Sequence, residues 1–215
     1  DGFIWLGSKG GLSRFDGKNF SNYQIASDSG LLSNDVLSLL EDQQQRLWVG
    51  TARGLFLFDD DSQQFQHIAL GEQAPTVLSL FQDSKQQIWA GTDQGLFKLA
   101  PDGGAAIQFA PQLEVKVLLS YNAQLWLGTK QGLFTLDRQT DTVKPIPLVG
   151  AAGIELRQSR IFDAIVSADK FYLATVKNGI YEYRNASFLK IEKYAKIDLF
   201  SSGPFAASAF WSYRI

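Results

Sequence analysis

A nine-residue pattern, [Ile/Leu]-Trp-x-Gly-[Ser/Thr]-x-x-Gly-Leu, occurs four times, at Ile4 to Leu12, Leu47 to Leu55, Ile88 to Leu96 and Leu125 to Leu133. It takes up four of the five tryptophans in the 215-residue chain. A decayed fifth copy runs Phe171-Tyr172-Leu173-Ala174-Thr175, with Gly179-Ile180 following after a one-residue insertion. The aromatic thus recurs at residues 5, 48, 89, 126 and 172, a spacing of roughly forty that marks a repeat architecture. Trp211 falls in phase to begin a sixth copy.

Each unit reads as four short strands bounded by turn residues. In the second unit these are Val36 to Leu40, Arg46 to Thr51, Leu55 to Phe58 and Phe65 to Ile68. In the third they are Val77 to Phe81, Gln87 to Thr92, Leu96 to Leu99 and Ile107 to Phe109. The run Leu55-Phe56-Leu57-Phe58 is apolar on both faces, which suits a small sheet sandwiched between two like sheets. Pro145 in the fourth strand Val143 to Ile146 belongs on an edge. Four-stranded units of this length are the blades of a β-propeller. The expected fold is all-β, with repeat cores near 3–25, 36–68, 77–109, 115–146 and 161–191 and a partial repeat at 196–215 within one propeller domain.

The motif residues are scaffold. The second-strand aromatic packs on the next blade, the glycine two residues on makes room for a neighbour, and the second glycine opens the third strand with φ > 0.

The segments Trp-Val-Gly-Thr-Ala-Arg-Gly-Leu-Phe (48 to 56) and Leu-Leu-Ser-Asn-Asp-Val-Leu-Ser-Leu-Leu-Glu-Asp (31 to 42) closely resemble the two-component-regulator propeller repeat. The similarity is strong over 1–137 and weak from 150 onward, where the Trp and Gly consensus is lost. The resemblance implies the periplasmic sensor part of a membrane-anchored bacterial receptor. The outputs of such receptors are a histidine kinase, often hybrid, a GGDEF-type cyclase or a DNA-binding regulator. It also implies ligand sensing, in several relatives of glycan fragments, and no output domain is present.

Chemistry beyond that is sparse. There is no cysteine and no Gly-x-Ser-x-Gly nucleophile elbow, and the one histidine, His67, falls on an outer strand, far from the channel. Only oxygen ligands remain for a metal, and Asp59-Asp60-Asp61 reads as a solvated hairpin turn. Gly103-Gly104 and Gly150-Ala151-Ala152-Gly153 read as loops with no helix to present to a phosphate. No cofactor and no metal are expected. A formal net charge of −2 argues against nucleic acid, and no apolar run is long enough to insert in a membrane.

The site is expected where the second-to-third-strand turns and the interblade connections emerge together at the channel mouth. Its candidate ligand-binding residues are Lys9, Asn34, Asp35, Arg53, Asp93, Glu114, Lys130, Arg160 and Lys177. Four turns offer a cation, a pattern that favours an anionic small molecule or oligosaccharide. Asp35, Glu114 and Asp163 lie near the starts of inner strands, so a carboxylate pair of a lyase or hydrolase is the enzymatic alternative. A purely structural propeller that docks another protein, or dimerises through the parent receptor, is the other. The expected closure is an incomplete ring, with 196–200 beginning a sixth blade rather than pairing with Phe3 to Gly7.

Overall fold

A computed structural model describes residues 2–24, 29–100, 105–138, 140–148, 150–157, 159–167, 170–185 and 187–191. They form five antiparallel sheets whose strands follow one another in sequence order. The first holds β1 (Ile4–Ser8), β2 (Gly11–Phe15) and β3 (Phe20–Tyr23). The second holds β4 (Val36–Glu41), β5 (Leu47–Thr51), β6 (Gly54–Asp59) and β7 (Gln64–Ile68). The third holds β8 (Val77–Gln82), β9 (Ile88–Thr92), β10 (Gly95–Lys98) and β11 (Ile107–Phe109). The fourth holds β12 (Val115–Tyr121), β13 (Gln124–Thr129), β14 (Gly132–Asp137) and β15 (Thr142–Pro145). The fifth holds β16 (Ile161–Ser167), β17 (Lys170–Thr175), β18 (Ile180–Arg184) and β19 (Ser187–Lys190).

These sheets are propeller blades, as the repeat implies. The first lacks an inner strand against β1 among the described residues. Pro145 ends β15, an edge strand where its missing N–H costs no ladder bond. The segments 196–200 and 205–211, on which the closure expectation rests, lie outside the described residues.

Two compact units divide the chain. The first takes in the first three blades apart from Gln94–Leu96 and Phe109, and the second takes in the last two blades. Inside each unit the blades stack as the motif requires. Trp5 packs with Val36, Val49, Phe56 and Phe65 of the second blade. Trp48, fully buried, packs with Val77, Ile88, Ala90 and Phe97 of the third. In the second unit Trp126 packs with Ile161, Phe171, Leu173 and Tyr181 of the fifth.

The first motif glycine sits where the next blade comes closest. A Cβ on Gly7 would stand 2.6 Å from Val36 Cγ1, one on Gly50 2.7 Å from Val77 Cγ1, and one on Gly128 2.7 Å from Ile161 Cγ2. The neighbour is in each case the first residue of the following inner strand. The second glycine has φ of 98° at Gly54 and 115° at Gly132, a backbone that L side chains avoid. The Ser or Thr between the glycines closes the turn. Thr51 Oγ1 donates to the Gly54 carbonyl at 3.1 Å and accepts the Arg53 amide at 3.1 Å. Ser8, Thr129 and Thr175 make the same two contacts in their turns.

One expectation is corrected. Gly150-Ala151-Ala152-Gly153 is not a loop: it opens α1 (Gly150–Arg157), inserted between the fourth and fifth blades. Ala152, Glu155, Leu156 and Arg157 are good helix formers, and Leu156 is fully buried in the second unit's core. Glu155 ties α1 to the fifth blade, accepting from Tyr181 Oη at 2.5 Å and pairing with Lys190 Nζ at 3.0 Å. Burial and this bond push the Tyr181 hydroxyl well above the usual tyrosine range.

Candidate ligand-binding edge

In four blades one backbone hydrogen bond joins the residue preceding the inner strand to the turn that opens the third strand. Ala52 N donates to the Asp35 carbonyl at 2.9 Å, and Asp93 N to that of Thr76 at 3.2 Å. In the second unit Lys130 N donates to the Glu114 carbonyl at 3.3 Å, and Val176 N to that of Arg160 at 3.1 Å. Each blade therefore brings its interblade connection and its turn to one end, forming a polar lip.

The candidate residues fall on these lips, in two groups. In the first unit, Lys9 and Arg53 are exposed at turn tips and make no ion pair among the described residues. Asn34 and Asp35 are half-buried in the connection, with Asp35 N donating to Ser33 Oγ at 3.1 Å. Asp35 Oδ1 is buried without a hydrogen-bond partner among the described residues. Asp93 is also exposed, but its carboxylate accepts the Thr76 amide at 2.9 Å and so ties the turn to the connection.

In the second unit Glu114, Lys130 and Arg160 come together. Arg160 Nη2 lies 2.8 Å from Glu114 Oε1, bridging the fourth and fifth blades, and Lys130 Nζ lies 4.0 Å from Glu114 Oε2. Lys177 is exposed at the tip of its turn. Of the three carboxylates considered for catalysis, Asp35 lies in one unit and Glu114 and Asp163 in the other. Glu114 is occupied by two cations.

Sequence reasoning missed the feature just inside these lips. Every complete inner strand carries a β-bulge at its second residue, because the pairing skips it. Val36 pairs with Thr51 and Ser38 with Gly50, leaving out Leu37. The same step leaves out Leu78, Lys116 and Phe162. A bulge re-aims a side chain out of the regular pleat, and bulges gather beside functional sites. In the second unit the two bulged side chains meet, with Lys116 Nζ 4.5 Å from the centre of the Phe162 ring. Burial, and then the nearby Arg160, hold the Lys116 ammonium below the usual lysine range. Burial pushes Asp163 above the usual carboxylate range, against the hydrogen bond it accepts from Ala164 N at 2.8 Å. No sequence signal marks these bulges, since a bulge is visible only in the pairing register.

Two clefts lie elsewhere. One of about 490 Å³ is lined by Asp163, Ile165, Tyr172, Ala174, Ile180 and Glu182. Its Tyr172 holds the motif position from which Trp5, Trp48 and Trp126 pack on the following blade. The other, about 390 Å³, holds Gln124, Thr135, Asp137 and Lys144, at the opposite end of the fourth blade from its lip. His67 lies exposed on β7 against the Phe56 ring, centroids 5.3 Å apart. Among the described residues no group of three or more His, Cys, Asp or Glu side chains could hold a metal ion. No helix among them is long and apolar enough to cross a membrane.

The family model described as two component regulator propeller matches residues 30–53, which run through the second blade's connection, inner strand and turn. The chain carries the repeat of the two-component-regulator propeller family. Among curated proteins none is significantly similar to it. Among solved structures, it is similar to the extracellular domain assigned to a one component system of B. thetaiotaomicron. That match has 25% identity and a TM-score of 0.75, covering 85% of this chain and 26% of that one. A second B. thetaiotaomicron extracellular domain, assigned to a hybrid two component system, is 24% identical with a TM-score of 0.70. It covers 89% of this chain and 27% of that one. The chain thus spans about a quarter of the length of these two solved chains. Virginiamycin B lyase of Staphylococcus aureus shares the fold at 12% identity and a TM-score of 0.68, covering 88% of this chain and 66% of that one.

Proposed function

We propose that this chain is part of the extracytoplasmic, periplasmic sensor of a bacterial signal-transduction receptor, and that it binds a ligand without transforming it. The observation that carries this reading is its likeness, over 85% of its length, to an extracellular domain assigned to a one component system. The lips add a physical reason: in four blades they gather polar and charged side chains at one end, anchored by a backbone hydrogen bond. Glu114, one of the candidate acids, is ion-paired with Arg160 and Lys130, which suits binding better than proton transfer. The ligand is an oligosaccharide or small molecule, anionic in character, and the parent receptor supplies the membrane anchor, the output and any homodimer contact. The likeness to virginiamycin B lyase shows the fold alone and lends no support to an enzymatic reading.

The test is a thermal-shift screen of neutral and acidic oligosaccharides, run beside a turnover assay on the same compounds. A binder raises stability by mass action, about 2.7 kcal/mol at a hundredfold excess over Kd. A rise in melting temperature without product supports sensing; product formation overturns it in favour of a lyase or hydrolase.

A further inference from the structure

Four inner strands place a side chain at the same bulge, and three of the four are apolar: Leu37, Leu78 and Phe162. The fourth is Lys116. Since leucine fills this position in two blades, the bulge does not need a charge to form. A half-buried ammonium there carries a desolvation cost that leucine avoids.

Glu114 and Asp163 offset part of that cost from a distance, but burial and Arg160 outweigh them. Among the described residues Lys116 makes no ion pair, and its closest aromatic contact is the Phe162 ring at 4.5 Å. The other two cations nearby, Arg160 and Lys130, are both held by Glu114. The cluster of Lys116, Lys130 and Arg160 against Glu114 and Asp163 therefore keeps one net positive charge, and Lys116 is its least solvated cation. An anion seated beside Lys116 would restore the balance and would be bound most strongly there, because Lys116 is half-buried while Arg160 and Lys130 are exposed. Phe162 adds an apolar ring face at the same spot, which suits the C–H face of a sugar or other ring.

We propose that Lys116, Arg160 and Phe162 form a subsite for a carboxylate carried on a sugar ring, a uronate being the simplest case. The subsite rests on the sensing reading above and gives it a ligand class and a place. It lies within the second unit, one residue inside the lip rather than at the exposed turn tips.

The probe is digalacturonate, with neutral galactobiose as control, titrated calorimetrically into the whole chain at low salt. The key variant is Lys116→Leu, which copies the second and third blades and so keeps the bulge. Digalacturonate should bind the wild type and lose about tenfold or more in affinity on Lys116→Leu, as expected for one charge-assisted contact. Raising the salt should weaken the wild type more than the variant. Equal affinity for wild type and Lys116→Leu, or equal affinity for the neutral disaccharide, would overturn the subsite while leaving ligand sensing in place. No binding of digalacturonate to the wild type at millimolar concentration would also overturn the subsite; the sensing reading would then be judged by the wider screen.

Discussion

The carboxylate of Asp42 accepts the indole N–H of Trp48 at 2.8 Å, in a pocket that excludes both from solvent. Asp42 also accepts the amides of Gln44 and Arg46, each at 2.9 Å, and the Arg46 guanidinium at 2.7 Å. One side chain therefore shapes the first hairpin of its blade and fixes the ring that packs on the next. The third blade repeats the device with Asp83, which accepts Trp89 Nε1 at 3.1 Å. In the fourth the turn is shorter, and Trp126 Nε1 donates to the Tyr121 carbonyl at 3.2 Å.

Two variants separate the packing of Trp48 from its hydrogen bond. Trp48→Ala should cost about 3–5 kcal/mol, as large aromatic truncations in cores do. Trp48→Phe keeps most of the ring but leaves the Asp42 oxygen one donor short, for about 1–3 kcal/mol. Urea titration of both checks the ranking; a near-neutral Trp48→Ala would sink the blade assignment.

The same contact has a pH signature. Burial disfavours the Asp42 carboxylate, but the Trp48 indole and the Arg46 amide and guanidinium outweigh it and hold its pKa below the usual range. A depressed folded pKa means stability that is fully present above the unfolded carboxylate value, about 3.9, and is lost as pH falls through the lower folded value. Asp42→Asn should lower stability at neutral pH and flatten its fall below about pH 4. Melting temperatures of both proteins between neutral and strongly acidic pH would show it. Parallel curves would mean that other carboxylates carry the acid sensitivity.

Gly50→Ala should destabilise by about 1–3 kcal/mol through overpacking, since the new methyl meets Val77 Cγ1 at 2.7 Å and also Ser38 Oγ. Combining it with Val77→Ala should recover part of that loss, because the smaller neighbour removes one of the clashes. A double variant as unstable as the sum of the singles would show that the glycine serves some other purpose.

The blades were legible because their periodicity and each motif position answer to one local need. Trp48, Gly50 and Gly54 face the next blade, a neighbour's valine and a φ of 98°, and any such need recurs wherever the blade does. Asp42 was hidden by its class: in Glu41 to Gln45 it looks like one more solvated turn residue, and only its six-residue lead over Trp48, repeated at Asp83 and Trp89, betrays it. Helix α1 escaped because Gly150 and Gly153 read as loop residues, while its support comes from tertiary burial of Leu156. The lip residues were found from the turn positions. Lys116 and Phe162 were not, since alternation along a strand says nothing about where its register slips.

Glu114 offers the last test, because binding and catalysis predict opposite things for it. Its pairs with Arg160 and Lys130 are partly solvated, with the two cations 46% and 59% exposed, so they add little stability. Glu114→Gln should cost under about 1 kcal/mol, and less still at high salt. Removing its charge leaves Lys116, Lys130 and Arg160 facing only Asp163, so the edge becomes more attractive to an anion. Digalacturonate should then bind Glu114→Gln more tightly than wild type at low salt, with the gain shrinking as salt rises. A catalytic carboxylate would instead show as lost turnover. Weaker binding of the acidic probe by Glu114→Gln would mean that Glu114 holds Arg160 in its binding pose, and that positioning outweighs net charge at this edge.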